Sequence, residues 1–355
     1  MTKIKCAMVG GGLGGFIGEV HRMALRLDDR WDLIAGALSS DATRAMESAQ
    51  EIGIKGYASW QELLENEKES VECIIIVTPN DTHASIATAA LDAGYHVVLD
   101  KPMTRTIEEA VELAKLAEQS DSVFCMTYTY TGYPMIQEMR KRVLAGEIGT
   151  VRAVSVDYRQ GWLSQPIERD GQKQALWRTD PNKSGAGALG DIGSHAEQLA
   201  RFTTGLAIEQ VRGDVHTIVE GRKVDDHACV QLKMQHGVVG DLVCSQICTG
   251  ERNHVSIRVW GDKGSLSWSH DCCDSLTFME SDVKETTTYA CETHNRVPSG
   301  HPAGFIEAFA NLYRACADRI QGDSALMIDA NEGLASMKFV DAVLRSKESG
   351  QWEDV

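Results

Sequence analysis

Three side chains in this sequence have the types and the placement that acid–base chemistry needs. Asp191 and His195 are four residues apart, so a helix would put both on one face. An imidazole is well suited to accept the proton of a hydroxyl near neutral pH. Lys101 follows an apolar run, where an ammonium group could bind a hydroxyl or a developing alkoxide. Taken singly, each has an ordinary alternative: a helix cap, a core histidine and a solvated loop lysine.

The segment that carries Lys101 alternates short apolar runs with amphipathic ones. Strand-like runs lie at 4–9, 33–38, 71–77, 96–99 and 123–127, and helical periodicity is clear at 85–93 and 107–120. This alternation predicts right-handed βαβ units and a parallel sheet with helices on both faces. An open parallel sheet binds its ligand beyond the carboxyl ends of its strands, which is where Lys101 lies.

A glycine-rich loop follows the first strand and leads directly into a helical pattern. It reads Gly10-Gly11-Gly12-Leu13-Gly14-Gly15-Phe16-Ile17-Gly18. At such a junction, glycines permit a tight turn and let backbone N–H groups approach a pyrophosphate at the helix N-terminus. We predict a dinucleotide site with contacts from Gly10, Gly12, Leu13, Gly15, Phe16 and Ile17. Gly18 is then the third glycine of a loop that is longer than usual.

The end of the second strand bears on which dinucleotide binds. It reads Ala37-Leu38-Ser39-Ser40-Asp41 and is followed by Arg44. Asp41 could hold the ribose hydroxyls of NAD, or it could only cap the next helix. Ser39, Ser40 and Arg44 could instead surround the 2′-phosphate of NADP. We favour NAD and leave NADP open.

After about residue 150, the strand–helix alternation gives way to successive strand-like runs. Strand-like runs at 151–159, 228–234, 238–248 and 255–261 follow one another, with hairpin turns predicted at 237–238 and 262–264. Helical runs lie at 187–203, 302–320 and 329–346. We predict an α/β chain: residues 1–128 as a parallel-sheet Rossmann domain, and 129–355 as a second α/β domain with a largely antiparallel sheet.

Composition narrows the class of protein further. The chain has 355 residues and a net charge of −16, which argues against nucleic acid and anionic membrane partners. We find neither a signal-peptide pattern nor a membrane span and expect a cytoplasmic protein. None of its ten cysteines forms a C-x-x-C pair, and Cys272-Cys273 lacks a matching ligand pair, so we predict no metal site.

Three motifs together resemble the glucose–fructose oxidoreductase/inositol dehydrogenase (Gfo/Idh/MocA) family. They are Thr78-Pro79-Asn80-Asp81-Thr82-His83, Asp100-Lys101-Pro102 and Gly190-Asp191-Ile192-Gly193-Ser194-His195. The resemblance covers essentially the whole chain and implies NAD(P)-dependent exchange of a hydride with a secondary alcohol of a sugar or polyol. It implies that the α/β domain 129–355 has a large, mostly antiparallel, open-faced sheet and serves substrate binding and oligomerisation. It implies catalytic roles for Lys101, Asp191 and His195. It also implies cofactor contacts near the nicotinamide ribose, from Thr78, Pro79, Asn80, His83, Asp100 and Lys101.

The family's usual Glu before the lysine is Asp100 here, and the glycine loop is longer. Candidate substrate contacts are the polar and aromatic residues Tyr130, Arg159, Trp162, Trp177, Arg178 and His301. The loop sequences resemble those of sugar and glycoside dehydrogenases. Our preferred subgroup is the enzymes that oxidise the C3 hydroxyl of glucosides.

Two other functions are compatible with the same fold. One is an NAD-dependent glycosidase that uses transient oxidation and elimination, and it would keep both Lys101 and His195. The other is a non-enzymatic NAD-sensing regulator. Regulators of this fold tend to lose the catalytic lysine and histidine, and this chain retains Lys101 and His195, so we favour this function less. We further expect a homodimer or homotetramer, with the run 238–248 as its surface.

Overall fold

The chain divides into two compact units, each built from two segments. The structure is a computed structural model and describes residues 2–280, 284–291, 293–298, 300–301 and 303–355. The first unit combines Met1–Gly132 with Phe305–Leu334, and the second combines Tyr133–Gly304 with Ala335–Val355. The sequence did not predict that residues 305–334 belong with the first unit.

The first unit contains a six-stranded parallel sheet with helices around it. Its strands are β1 (Ile4–Gly10), β2 (Trp31–Ala37), β3 (Lys55–Gly56), β4 (Cys73–Val77), β5 (His96–Leu99) and β6 (Phe124–Met126). Its helices are α1 (Phe16–Arg26), α2 (Ala42–Ile52), α3 (Trp60–Asn66), α4 (His83–Asp92), α5 (Ile107–Gln119) and α10 (Phe305–Ile320). The strand order β3-β2-β1-β4-β5-β6 is that of a Rossmann fold and confirms the predicted class.

Burial explains why these short strands read as continuous apolar runs. Ile74, Ile75 and Ile76 of β4 are all fully buried, because helices cover both faces of the sheet. The two-residue strand β3 was not predicted, since Lys55-Gly56 carries no apolar pattern.

Helix α10 completes the core of the first unit. Its Phe309 and Tyr313 are buried against α1. The Tyr313 hydroxyl lies 2.6 Å from Nδ1 of His21, and the indole N–H of Trp31 donates to the Tyr313 carbonyl at 3.2 Å. Burial lowers the pKa of His21 to about 4, so this histidine is neutral in the core. The first unit therefore needs a helix that lies some 170 residues later in the sequence.

The second unit contains a nine-stranded sheet in which β7 and β10 pair in parallel and the other pairs are antiparallel. The strands are β7 (Val151–Arg159), β8 (Ile208–His216), β9 (His227–Met234), β10 (Val239–Ser245), β11 (His254–Gly261), β12 (Gly264–Ser269), β13 (Ser275–Glu280), β14 (Glu285–Tyr289) and β15 (Glu353–Asp354). The helices are α6 (Pro134–Leu144), α7 (Lys173–Arg178), α8 (Pro181–Ser184), α9 (Ser194–Thr204) and α11 (Ala330–Ser349), which begins in the first unit's last segment. The mostly antiparallel sheet and both hairpins were predicted correctly.

One face of this sheet is covered by α6 and α9, and the other is open within the described chain. Along β7, Val154, Val156 and Tyr158 are buried, whereas the intervening side chains point to the open face. Within the run 238–248, Leu242 and Cys244 lie on the covered face, whereas Val239, Asp241 and Val243 lie on the open one, so the use of this run as an oligomer surface stays a prediction. Among the residues that the structure describes, no helix has both the length and the apolarity needed to cross a bilayer.

Candidate functional site

The carboxyl edge of the parallel sheet holds Lys101 on a fixed backbone. Asp100 Oδ1 accepts the N–H of Lys101 at 2.9 Å and the hydroxyl of Thr127 at 2.8 Å. The N–H of Thr127 in turn donates to the Leu99 carbonyl at 3.0 Å, which ties the ends of β5 and β6 together. Asp100, predicted to contact the cofactor, thus positions the residue beside it.

His83 is buried and links the ends of two strands. Its Nδ1 lies 2.9 Å from the carbonyl oxygen of Pro102, and its Nε2 lies 2.9 Å from that of Thr78. Both ring nitrogens therefore face backbone carbonyls. His83 holds Thr78-Pro79-Asn80 next to the turn after Lys101. Any contribution of His83 to cofactor binding is therefore indirect, through the position of these residues.

The glycine loop has the shape that a pyrophosphate requires. A Cβ at Gly18 would lie 2.3 Å from the Cα of Gly11, so only glycine lets α1 approach β1 this closely. Gly14, with φ of +75°, would have no atom within 4 Å of an added Cβ, and this side of the loop is open. Helix α1 begins after Gly15, which provides no side-chain cap to its first N–H groups. These N–H groups and the positive end of α1 fit a dinucleotide pyrophosphate.

The residues after β2 partly serve the backbone. Asp41 is the N-cap of α2, and its Oδ1 accepts the N–H of Arg44 at 2.8 Å. Its own N–H donates to the hydroxyl oxygen of Ser39 at 3.1 Å. Asp41 therefore does cap α2, as one of the two alternatives predicted. A contact of Ser39, Ser40 or Asp41 with the cofactor ribose stays a prediction.

In the second unit, Asp191 lies in a widened helical turn, Leu189–Gly193, that precedes α9. The sequence predicted one regular helix here. The buried carboxylate of Asp225 accepts the N–H of Gly187 at 2.7 Å and that of Leu189 at 2.6 Å. Burial raises the pKa of Asp225, although both N–H donors act in the opposite direction. Asp225 therefore holds the start of the segment that carries Asp191 and His195.

A polar network surrounds the Asp191 carboxylate. Its Oδ2 accepts the side-chain amide of Gln246 at 2.9 Å and Nε of Arg178 at 3.3 Å. Gln246 also donates to Gln160 at 3.4 Å, and the indole of Trp162 donates to the same Gln160 oxygen at 3.0 Å.

The aromatic residues predicted to contact substrate flank this network. The Arg178 guanidinium lies 4.2 Å from the ring centre of Trp177 and 6.0 Å from that of Trp162. Trp162, Trp177, Arg178 and Asp191 are thus brought together, as a set with donors, acceptors and flat apolar faces.

His195 is buried next to Tyr158 on the covered face of the sheet, with ring centres 6.2 Å apart. Arg159 was predicted to contact substrate, but it follows Tyr158 in β7 and points to the other face. There its guanidinium makes a bidentate pair with Asp157, with N–O distances of 2.7–2.9 Å. Arg159 and His195 therefore lie on opposite faces of the sheet.

Comparisons with known proteins agree along nearly the whole chain. Residues 4–128 match the model of an oxidoreductase family with an NAD-binding Rossmann fold, and residues 136–267 match that of the GFO/IDH/MocA C-terminal domain. This chain belongs to the GFO/IDH/MocA family. It is an NAD-binding oxidoreductase, as the sequence predicted.

Two solved structures and one further relative resemble the chain over most or all of its length. An oxidoreductase from Sinorhizobium meliloti is 36% identical, with 99% of both chains covered and a TM-score of 0.90. An inositol dehydrogenase homolog from Azotobacter vinelandii, in complex with NAD⁺, is 30% identical, with 100% of this chain and 98% of that chain covered and a TM-score of 0.95. Levoglucosan dehydrogenase from Pseudarthrobacter phenanthrenivorans is 26% identical over 78% of this chain and 76% of its own.

Several residues of this GFO/IDH/MocA site were predicted without their geometry, and others were missed. Tyr130 is buried in the first unit. His301 is exposed, with Nδ1 at 3.0 Å from the Pro298 carbonyl, while its neighbours Ser299 and Pro302 lie outside the described residues. Gln160, Gln246 and Asp225 were missed. Their only sequence signal is that the two glutamines directly follow strands of the second sheet.

Replacing Asp225 tests whether this carboxylate holds the segment before α9. Asp225→Asn presents an NH₂ group to one of two N–H donors, which should lower the free energy of unfolding by about 1–3 kcal/mol. Turnover should fall as well, because Asp191 loses its fixed backbone. Urea unfolding and steady-state kinetics measure both. Asp214→Asn, at a side chain that is 78% exposed, is the control and should change stability by less than about 0.5 kcal/mol. Equal stabilities of the two variants would contradict the role.

Proposed function

We propose that the protein transfers a hydride between nicotinamide and a secondary hydroxyl of a sugar, glycoside or cyclitol. The observation that supports this most is the network around Asp191, where amides, a paired guanidinium and two indoles lie together. Indole faces stack on sugar C–H groups, and amides donate to and accept from hydroxyls. The names of the inositol dehydrogenase homolog and of levoglucosan dehydrogenase support the same substrate class. Oxidation at C3 of a glucoside is our preferred subgroup.

Each proposed catalytic residue has one task. NAD, when bound, supplies the hydride acceptor. His195 accepts the proton of the substrate hydroxyl, a task for which an imidazole is suited near neutral pH. Lys101, on the backbone fixed by Asp100, stabilises the developing alkoxide and positions the nicotinamide. Asp191, held by Gln246 and Arg178, orients the substrate or His195.

The catalytic roles are tested by His195→Ala and Lys101→Ala. Because a positioned acid–base group contributes about 10²–10⁴-fold to rate, each variant should lose turnover by that factor. Calorimetry should show that NAD binding is largely kept in His195→Ala. His216→Ala and Lys115→Ala, at exposed positions, should retain turnover. Near-full turnover of His195→Ala would assign the proton acceptor to another residue.

The charge of the substrate is the second testable point. Arg178 is paired with Asp191 and Arg159 with Asp157, so neither predicted arginine offers an unmatched charge to a phosphate. We expect kcat/KM to be higher for glucose, methyl glucosides or inositols than for glucose 6-phosphate. The ratio should be at least about tenfold, since desolvating an unmatched dianion costs more than the ~1.4 kcal/mol that this factor represents.

NADH formation is the measurement, and a preference for the phosphate ester would contradict a neutral substrate. Aglycone release from a nitrophenyl glucoside without net NADH would instead identify the glycosidase chemistry.

We propose that the protein forms a homodimer or homotetramer through the open face of the second sheet. The support is that α6 and α9 cover the opposite face in the described chain, while Val239, whose cross-strand partners are Ala153 and Lys233, is 55% exposed on the open face. Light scattering at micromolar concentration should give at least twice the mass of one chain. Val239→Lys should lower that mass, and a monomeric wild-type protein would contradict the proposal.

A further inference from the structure

A single loop connects the two indoles that flank the Asp191 network. This connecting loop, residues 163–172, starts directly after Trp162 and leads into α7, which carries Trp177. The loop consists of short turns, so regular secondary structure does not fix its course. The two indoles therefore keep a constant separation only if other side chains hold the loop in place.

The buried side chain of Arg222 holds the connecting loop at three positions. Its Nη1 donates to the carbonyl oxygen of Leu163 at 2.9 Å, and its Nη2 donates to that of Gln165 at 3.3 Å. Nε and Nη2 also donate to the two carboxylate oxygens of Glu168, each at 3.1 Å. The planar guanidinium thus binds two backbone carbonyls and one carboxylate of the same loop, which a flexible ammonium group could not do in one geometry.

Asp226 completes the surroundings of Arg222. Its Oδ2 accepts Nη1 of Arg222 at 3.3 Å, and its carboxylate also accepts the N–H groups of Ile218 at 2.8 Å and Val219 at 2.9 Å. Each of the five N–H groups of the guanidinium then has an acceptor. Burial raises the pKa of Glu168, but the hydrogen bonds from Arg222 and the nearby positive charge outweigh burial, so this pKa is lowered and the ion pair is favoured.

The same segment of chain also supports the other side of the network. The Asp226 carbonyl accepts the N–H of Gln246 at 3.0 Å, and the side chain of Gln246 donates to Asp191 at 2.9 Å. The neighbouring Asp225 holds the turn before α9 through two N–H groups. Arg222 is therefore dedicated to the loop between the indoles, whereas Asp225 and Gln246 hold the carboxylate that faces them.

We propose that Arg222 is a positioning residue that determines how tightly the site binds its sugar or polyol substrate. The inference rests on the proposed function, which supplies the substrate class. Arg222 acts through the connecting loop: it fixes Trp162 at one end and α7 with Trp177 at the other. A displacement of about 1 Å at residues that orient a ligand can cost up to about a hundredfold in rate or affinity, so the loop must be held precisely.

A purely structural role for Arg222 predicts a different result. Removing one member of a buried ion pair lowers stability, but it changes the fraction of folded protein and not the preference of the folded site. The positioning role instead predicts a selective effect on the sugar. Its KM should rise while kcat and the KM for NAD change little, because the variant removes binding that is equal in the ground state and the transition state.

The kinetic test uses Arg222→Met and Arg222→Lys in the full chain. With glucose, a methyl glucoside or an inositol as substrate, the sugar KM should rise at least about tenfold in Arg222→Met, with kcat and the KM for NAD within about threefold. Arg222→Lys retains the charge without the planar fork, so its sugar KM should lie between the two. Glu168→Gln is the milder change and should also raise the sugar KM if Arg222→Met does not fold. An unchanged sugar KM in the folded variants would overturn the positioning role.

Arg30→Met is the matched control for the loss of a partly buried ion pair. Arg30 pairs with Asp318 in the first unit, at the amino end of β2 and so at the edge of the sheet opposite to Lys101. This variant should lower the midpoint of urea unfolding but leave the sugar KM within about twofold of the wild type. A rise in sugar KM as large as in Arg222→Met would mean that lost stability alone explains the effect, and would refute the proposal.

Hydrogen exchange separates failure of this inference from failure of the proposed function. Peptides that cover residues 163–172 should exchange at least about tenfold faster in Arg222→Met than in the wild type, while those from α9 keep their rates. Wild-type exchange of the loop in Arg222→Met would refute the role of Arg222 whether or not the protein oxidises sugars. A faster loop with an unchanged sugar KM would refute the positioning of substrate. A wild-type protein that oxidises none of these polyols would contradict the proposed function instead, and the exchange rates alone would then decide whether Arg222 holds the loop.

Discussion

The backbone polar groups at the ends of buried strands must find partners, and this requirement shapes both units. Where a strand ends, the next N–H and C=O groups leave the ladder, and each costs about 1–3 kcal/mol if it stays buried and unpaired. Asp100 and His83 supply the partners beyond β4 and β5. Asp225 does the same before α9. Polar side chains outside the proposed catalytic set thus fix the backbone that carries Lys101 and Asp191 and that leads into α9 with His195.

Much of the fold could be predicted because a strand that is buried on both faces has a continuous run of apolar residues in the sequence. The strands β1, β2, β4, β5 and β6 appear as apolar runs between amphipathic helices. Strands with one open face have a weaker hydrophobic pattern. Glu285–Tyr289 is polar at four of its five positions, and Ser275–Glu280 has only Leu276 and Phe278 on its apolar face; neither strand was predicted. The return of α10 to the first unit could not be predicted either, since its apolar stripe does not reveal which core it joins.

The site shows a similar division between residue type and geometry. Trp162, Trp177 and Arg178 were predicted from their types alone, and the structure groups them with Asp191. Arg159 has an equally suitable side chain, but the strict alternation of β7 places it opposite Tyr158. A shift of one residue in the strand would have reversed that result, and the sequence does not give the register. Gln160 and Gln246 were missed because an amide side chain has neither the charge nor the titratable proton that marks a residue as a candidate for the site.

The two units differ in how they can meet a ligand's charge. The first offers backbone N–H groups and the positive end of α1, which attract a pyrophosphate at every pH although the chain carries a net charge of −16. The second offers amides together with a guanidinium already matched by a carboxylate. An amide can donate and accept at once, as a hydroxyl does, so a polyol exchanges its water contacts for equivalent ones. An anionic ligand that took Arg178 from Asp191 would leave this partly buried carboxylate without its guanidinium partner. We therefore expect the pairing of Arg178 with Asp191 to favour neutral substrates while it holds the proposed catalytic carboxylate in place.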